Sequence, residues 1–222
     1  MIPWVRLDVA AVPGGGELRL MRRGDEFSIM LGTNPLMNSR MSGSEQALAN
    51  LTCARLAGRP RPHLLIGGLG MGFTLRAALA ALPAAATVVV AELVPAVIAW
   101  AHGPMADLFG TSLADPRVTL READVAALIA KPDTAYDAIL LDVDNGPDGL
   151  TQRGNDRLYS AAGLAAARAA LRPGGVLAVW SVAPDAPFAQ RLSQAGFAVE
   201  ETRVHAHGRT GPRHTIWLAT RR

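Results

Sequence analysis

The chain has 222 residues, half of them hydrophobic, so it can bury a full core, and one domain with a small addition is favoured. Its single cysteine, Cys53, excludes an internal disulfide framework and fits a reducing compartment. No apolar run approaches the ~20 residues of a transmembrane helix, and the N-terminus lacks a signal-peptide pattern. We therefore expect a cytoplasmic protein with no membrane partner.

The basic residues do not indicate nucleic-acid binding. The formal net charge is only +3, and nucleic-acid binding would predict a clustered basic face. The one candidate cluster lies in residues 203–214, where His205, His207 and His214 accompany three arginines. We interpret this segment as a solvated hairpin turn and its histidines as a solvated edge rather than a metal site.

The first 31 residues alternate between apolar and polar side chains, which is typical of half-buried strands. They predict a small antiparallel β unit whose last strand covers residues 25–31. Residues 33–43 are predicted to form a loop. Residues 44–56 are predicted to form a helix with Ser44 as its N-cap.

The pattern then changes to strands that alternate with helices, which favours a parallel sheet covered on both faces. The predicted strands are 63–66, 87–91, 117–120, 136–141 and 175–181, and the predicted helices are 73–82, 94–109, 124–130 and 158–171. Two final strands, at 197–205 and 214–220, predict an antiparallel hairpin. The predicted fold class is therefore α/β, Rossmann-like and mostly parallel, with a C-terminal antiparallel hairpin and a small N-terminal antiparallel β unit.

A glycine-rich turn after the first parallel strand predicts a nucleoside site. Gly68, Gly70 and Gly72 stand at alternate positions before a helix, and the next strand ends at Glu92. Glycines let the backbone approach a ligand closely, and an acid at the next strand end can accept hydrogen bonds from ribose hydroxyls. An NAD fingerprint needs a third glycine where this chain has Phe73. The spacing instead resembles the first motif of class I S-adenosylmethionine (SAM) dependent transferases.

Further acids follow other predicted strands. Asp124 and Asp142 stand at such strand ends, as Glu92 does. In open α/β sheets, ligands bind at the carboxyl ends of the strands. Each acid alone could be a helix N-cap, but three in consecutive units favour a binding site.

The order and spacing of these motifs resemble the spermidine synthase family, within the class I SAM transferase fold. The resemblance covers Asp25-Glu26, IGGLGMG, the Glu92 strand end, DPRVTLREAD, YDAILLD and LRPGGVLAVWS. It implies a β unit with an active-site loop at 1–43, a SAM-binding domain at 44–222 and a homodimer. The implied cofactor-binding residues are Gly68, Gly70, Gly72, Glu92, Leu93, Asp124 and Val125. In this pattern Glu92 holds the ribose hydroxyls and Asp124 the adenine amino group, with Val125 beside the ring.

The resemblance also implies catalytic roles in the segment after the fourth strand. Asp142 would face the reacting amine, orient it and accept its proton, and Asp144 is a second anion there. Together with Asp148, these acids favour a small cationic substrate by Coulomb attraction.

The chain departs from the family pattern at three points. Gly70 replaces the aspartate of the GGGDGG turn, the segment from Asp142 to Pro147 is one residue shorter, and the tyrosine–histidine pair of a strand motif reads Phe27-Ser28-Ile29. In the family, the aspartate faces the free amine of decarboxylated SAM, and it would repel the carboxylate of intact SAM. Gly70 therefore favours intact SAM, so methyl transfer to a small amine is the first prediction. Arg40, in the loop at 34–45 with Asn38, Ser39 and Glu45, could pair with the SAM carboxylate.

Three alternatives remain. The first is aminopropyl transfer from decarboxylated SAM, as the family resemblance suggests. The second is a metal-dependent O-methyltransferase, which LLDVDN loosely resembles, although the expected Asp-Asn pair after the fifth strand is absent and we expect no metal. The third is a non-catalytic protein that binds SAM or another nucleoside.

Overall fold

The computed structural model describes residues 2–13, 15–143, 146–147, 156–207 and 210–222. Within them, the N-terminal sheet has four antiparallel strands in the order β1-β2-β3-β4. These are β1 (Val5–Ala11), β2 (Glu17–Arg23), β3 (Glu26–Leu31) and β4 (Asn34–Asn38). The alternating pattern predicted these strands correctly: on β2, Leu18 and Leu20 are buried, while Arg19 between them is only partly buried.

The second sheet has seven strands in the described part of the chain, in the order β10-β11-β9-β8-β5-β6-β7. These are β5 (His63–Gly67), β6 (Thr87–Glu92), β7 (Val118–Glu122), β8 (Tyr136–Leu141), β9 (Leu171–Ser181), β10 (Phe197–His207) and β11 (Thr210–Arg221). Strands β5 to β9 pair in parallel, and the β10–β11 hairpin joins β9 antiparallel. The predicted fold class is therefore confirmed. The division at residue 43 stays a prediction.

The helices lie between these strands along the chain. They are α1 (Gly43–Arg55), α2 (Phe73–Ala81), α3 (Pro95–His102), α4 (Ala106–Phe109), α5 (Val125–Ala130), α6 (Asp156–Tyr159), α7 (Ala161–Ala170) and α8 (Ala186–Gln194). None of these described helices has the length and apolar character needed to cross a membrane. Side chains on the two faces of the sheet form two core clusters. Leu64 and Ile66 of β5 belong to one, and Leu65 between them belongs to the other.

The carboxyl ends of the central strands are tied together by backbone bonds. The Gly68 N–H donates to the Ala91 carbonyl (2.9 Å), and the Asp142 N–H donates to the Gly67 carbonyl (3.0 Å). The ends of β5, β6 and β8 therefore form one edge at which loop residues 68, 92 and 142 come together. This edge is where the sequence places the ligand.

Several predicted boundaries were wrong. Residues 33–43 do not form only a loop, because β4 pairs with β3 within them. Ser44 is not an N-cap: α1 begins at Gly43, Ser42 precedes it, and the Ser44 hydroxyl instead bonds to the Glu45 carboxylate. The predicted helix at 94–109 is divided at Gly103, and α8 was not predicted although Asp185 caps it by accepting from the Phe188 N–H.

The edge strand β1 exposes apolar side chains on the N-terminal sheet. Ile2, Val5, Leu7 and Val9 are all exposed, by 65%, 55%, 40% and 38% respectively. An exposed apolar edge strand is suited to pairing with another chain. The homodimer implied by the family resemblance nevertheless stays a prediction.

Candidate active site

The turn after β5 requires glycine at two positions for different reasons. Gly68 has a φ of +91°, and a Cβ there would collide with the backbone carbonyl oxygen of Asp142. Gly70 has a φ of +49°, and its Cβ would lie 2.5 Å from Cε and 2.9 Å from Sδ of Met37. Met37 therefore fills the space beside residue 70, and its sulfur accepts a bond from the Met71 N–H (3.1 Å). Gly72 precedes α2 and packs against Phe109.

Glu92 lies at the end of β6 with its carboxylate held by the glycine turn. One oxygen accepts from the Leu69 N–H (3.0 Å) and the other from the Val94 N–H (2.9 Å). Burial raises the pKa of this carboxyl, and the backbone N–H groups around it oppose that shift. Each oxygen still has acceptor capacity, so the same carboxylate that fixes the turn can accept a ligand hydroxyl.

Asp124 has the capping role considered from sequence, and its contact with the adenine stays a prediction. Its side chain caps α5 by accepting from the Ala126 N–H (2.8 Å), and the residue also lines the central cavity beside Val125. Leu93 lines the same cavity from the end of β6. The structure thus brings together all the predicted cofactor residues except Gly72, which lies behind the turn.

Asp142 follows β8 and lines the cavity from below the glycine turn. Its Oδ2 accepts a hydrogen bond from the Thr74 hydroxyl (2.6 Å) on α2. Desolvation raises the pKa of the Asp142 carboxyl to about 7, the charge of Glu45 adds to this rise, and the Thr74 bond opposes it. An acid with a pKa near neutrality is suited to proton exchange with an amine. Asp144, the second predicted catalytic residue, and Asp148 lie outside the described residues.

A connected polar chain borders the same cavity. The Ser44 hydroxyl donates to Oε2 of Glu45 (2.6 Å) and lies 2.8 Å from Nδ1 of His214. The His214 ring meets the Trp180 ring edge-on at 4.7 Å between centroids. Burial raises the pKa of Glu45, although the Ser44 bond opposes the rise, and burial lowers the pKa of His214.

The interpretation of His214 as a solvated edge residue was therefore wrong. It is half-buried against α1 and lines the cavity, because residue 44 packs on β11 although it lies 170 positions earlier in the chain. Trp180 and Met37 were also missed as cavity residues, and Thr74 was missed as the partner of Asp142. Asn38 and Glu45, two candidates from the loop at 34–45, do line the cavity.

The cavity has a volume of about 310 Å³, and its described lining is mostly apolar with four acids among the polar residues. Among the described residues that line it, the carboxylates are those of Glu45, Glu92, Asp124 and Asp142, and there is no lysine or arginine. Arg40, predicted as a partner for the SAM carboxylate, is instead exposed and lies 3.2 Å from Oε2 of Glu26. The lining is therefore complementary to a cation rather than to a carboxylate.

No metal centre is visible in the described ranges: no three His, Cys, Asp or Glu side chains there are grouped so that they could hold an ion. Tyr159, at the end of α6, is buried and packs edge-on against Phe188 at 5.6 Å between centroids.

The glycine turn, the acid after β6 and the C-terminal hairpin together define the class I SAM-dependent transferase fold. Spermidine synthase bound to the transition-state analogue AdoDATO superposes with a TM-score of 0.79 at 18% identity, covering 98% of this chain and 74% of that structure. The Thermotoga maritima spermidine synthase gives 0.78 at 17% identity, covering 98% and 73%. At these identities the likeness shows the fold.

Sequence comparison adds a family relation. The chain is 30% identical over 198 residues to the polyamine aminopropyltransferases of Mycobacterium tuberculosis and Mycobacterium bovis, which covers 85% of this chain and 36% of theirs. The resemblance to the spermidine synthase family is thus confirmed by sequence and by fold, although the chain spans only about a third of the length of these curated relatives. No family model matches the chain. The curated relatives are aminopropyltransferases. They therefore do not support methyl transfer, the first prediction from sequence.

Proposed function

We propose that this chain is an aminopropyltransferase that moves the aminopropyl group of decarboxylated SAM to a small amine. The observation that carries the proposal is the charge of the cavity. Its described lining has four carboxylates and neither lysine nor arginine. Decarboxylated SAM carries a sulfonium and an ammonium but no carboxylate, and an amine acceptor is also cationic in water, so both reactants suit an acidic cavity.

Intact SAM is less well suited to the same lining. Its carboxylate would have to enter a cavity bordered by Glu45, Glu92 and Asp142 without a described cationic partner, since Arg40 lies on Glu26. The absence of an aspartate at residue 70 was interpreted as favouring intact SAM. The φ of +49° supplies another reason for glycine at residue 70, and the end of the flexible Met37 side chain also lies in the space of a Cβ there. Gly70 therefore says little about the donor.

The proposed donor contacts follow the predicted residues. Glu92 would accept from the ribose hydroxyls, with Gly68 and Gly70 giving the backbone close access. Leu93, Asp124 and Val125 would surround the adenine. When bound, the donor supplies a sulfonium-activated carbon that a neutral amine can attack, with the thioether sulfur as the leaving group.

The chain must hold the acceptor in line with that carbon and remove its proton, and proximity supplies much of the acceleration. Asp142 is the proposed proton acceptor, because its carboxylate lines the cavity and its pKa of about 7 lets it take a proton from an ammonium near neutral pH. Thr74 fixes one oxygen of Asp142 by its hydrogen bond, so the other oxygen can face the amine. Asp144 remains proposed as a second anion.

The donor can be tested by calorimetric titration of the purified chain with decarboxylated SAM and, separately, with SAM. We expect decarboxylated SAM to bind at least tenfold more tightly, a difference of about 1.4 kcal/mol. Glu92→Gln should weaken both ligands, and Asp107→Asn, a substitution remote from the cavity, should change neither. Tighter binding of SAM would point instead to methyl transfer, and binding of both without product formation would point to a non-catalytic role.

A further inference from the structure

Three side chains connect the interior of the cavity to the C-terminal hairpin. Glu45 and His214 both line the cavity, and the Ser44 hydroxyl lies between them, 2.6 Å from Oε2 of Glu45 and 2.8 Å from Nδ1 of His214. Ser44 is fully buried, so water does not compete for its hydroxyl. Ser44 and Glu45 lie on α1, and His214 lies on β11.

The hydroxyl of Ser44 has one proton, so the hydrogen bonds from Glu45 through Ser44 to His214 can be arranged in only two ways. With Glu45 ionised, Ser44 donates to Glu45 and accepts from an Nδ1–H of His214. With Glu45 protonated, Glu45 donates to Ser44, and Ser44 donates to a bare Nδ1. Moving one proton along each bond converts a carboxylic acid and a neutral imidazole into a carboxylate and an imidazolium.

We propose that Glu45, Ser44 and His214 form a proton relay that carries the proton released by the acceptor amine out of the cavity to the imidazole. The relay rests on the proposed function, since it needs an ammonium acceptor. The acceptor ammonium gives a proton to Asp142, which passes it to the Glu45 carboxylate on the same cavity. The acceptor nitrogen then bonds to carbon, and the carbon–sulfur electron pair stays on sulfur. The proton on Glu45 passes to Ser44, the Ser44 proton passes to Nδ1, and Nε2 releases a proton to solvent.

The contacts of Asp142 explain why a second acid is needed. The Thr74 hydroxyl donates to Asp142. The other contact of that hydroxyl is the backbone carbonyl of Glu45, at 3.4 Å, and a carbonyl cannot carry a proton onward. The path through Thr74 therefore ends inside the protein. Glu45 borders the same cavity and has a path that leads out of it.

The surroundings of His214 contain few other charges. On α1 the titratable group facing it is Glu45, through Ser44, and on β9 it faces Trp180, which does not titrate. On β10 it is opposite Val204, whereas His205 and Arg213 alternate to the other face of the hairpin. Arg40, in the loop before α1, pairs with Glu26. Because burial raises the pKa of Glu45 and lowers that of His214, the two ends of the relay differ less in proton affinity than they do in water.

The discriminating variant is His214→Asn, since an amide can keep a bond to Ser44 but cannot take up a proton. We expect kcat to fall on the order of tenfold, less than the 10²–10⁴-fold expected for a direct acid or base, with the KM values for donor and amine unchanged. Added imidazole should restore the rate in proportion to its concentration. Ser44→Ala should behave in the same way, and His205→Asn on the opposite face should match the wild type.

A fall in kcat without rescue by imidazole, or an effect confined to a higher KM, would contradict the relay.

Nitrogen-15 NMR of the histidine rings provides a test that does not depend on turnover. The relay predicts that titration of Glu45 shifts the His214 Nδ1 resonance in the wild type and not in Ser44→Ala, and independent titrations in the wild type would overturn it. If the wild type forms no product, the proposed function fails, and the NMR titration still decides on the relay.

Discussion

Replacing Asp142 by Asn is expected to lower kcat by about 10²–10⁴-fold, because the substitution removes the proposed proton acceptor while keeping the size and shape of the side chain. The Thr74 hydroxyl can still donate to the amide oxygen at residue 142, so the local geometry should persist. The rate of 5′-methylthioadenosine release at saturating donor and amine measures the effect. Donor affinity should change little.

The pH dependence of the same pair makes this prediction sharper. A base works in its deprotonated form, so wild-type kcat/KM should rise with pH through the Asp142 pKa of about 7, and Asp142→Asn should lack this rise.

The free energy of unfolding depends on pH in the opposite direction to kcat/KM. The folded-state pKa lies above the ordinary value of 3.8, so the Asp142 contribution to stability falls as pH rises between these values. The variant should therefore be no less stable than the wild type at pH 8.

The matched control is Asp133→Asn, since the Asp133 side chain is 80% exposed and pairs with a surface arginine, Arg121. It should keep wild-type kcat and the wild-type pH profile. An Asp142→Asn variant with wild-type turnover would remove Asp142 from the mechanism.

Gly68→Ala is expected to have the largest effect on stability. The new Cβ would meet the backbone carbonyl of Asp142, which cannot move aside as a flexible side chain could, and the φ of +91° disfavours any L side chain. We expect the free energy of unfolding to fall by about 3 kcal/mol, near the upper part of the range for single substitutions. Urea titration followed by circular dichroism measures the loss. Donor binding should be lost as well, because Gly68 lines the cavity.

Gly58→Ala separates the collision from the backbone strain. Gly58 has a φ of +88°, and a Cβ there would meet nothing within 4 Å. It should cost only about 1 kcal/mol, from the positive φ alone, and leave donor binding intact. Equal losses in the two variants would show that strain, and not contact with Asp142, makes glycine necessary at residue 68.

The parallel sheet could be predicted from sequence because its central strands are buried on both faces. Such strands contain continuous apolar runs, as at residues 138–141. The acids at their carboxyl ends were visible for the same reason, since a polar residue after an apolar run stands out. Glu92 and Asp142 were located in this way, whereas Asp124 follows the polar residues Arg121 and Glu122 and was indicated by the family resemblance.

The part of the site that lies outside the strand ends could not be predicted. β4 was predicted as a loop, since Asn34, Pro35 and Asn38 disfavour strands, and pairing with β3 overrides that preference. His214 looked like a hairpin residue in solvent, because its burial depends on the packing of α1 against β11. Met37 gave no signal at all, since its effect on residue 70 depends on how the N-terminal sheet contacts the glycine turn.

The most direct measurement mixes the wild-type chain with decarboxylated SAM and a small diamine and identifies the nucleoside product by mass spectrometry. The proposed function predicts 5′-methylthioadenosine, formed in equal amount to an amine that has gained an aminopropyl group. A parallel reaction with SAM should give no S-adenosylhomocysteine above the background without enzyme. S-adenosylhomocysteine and a methylated amine as the products would contradict the account.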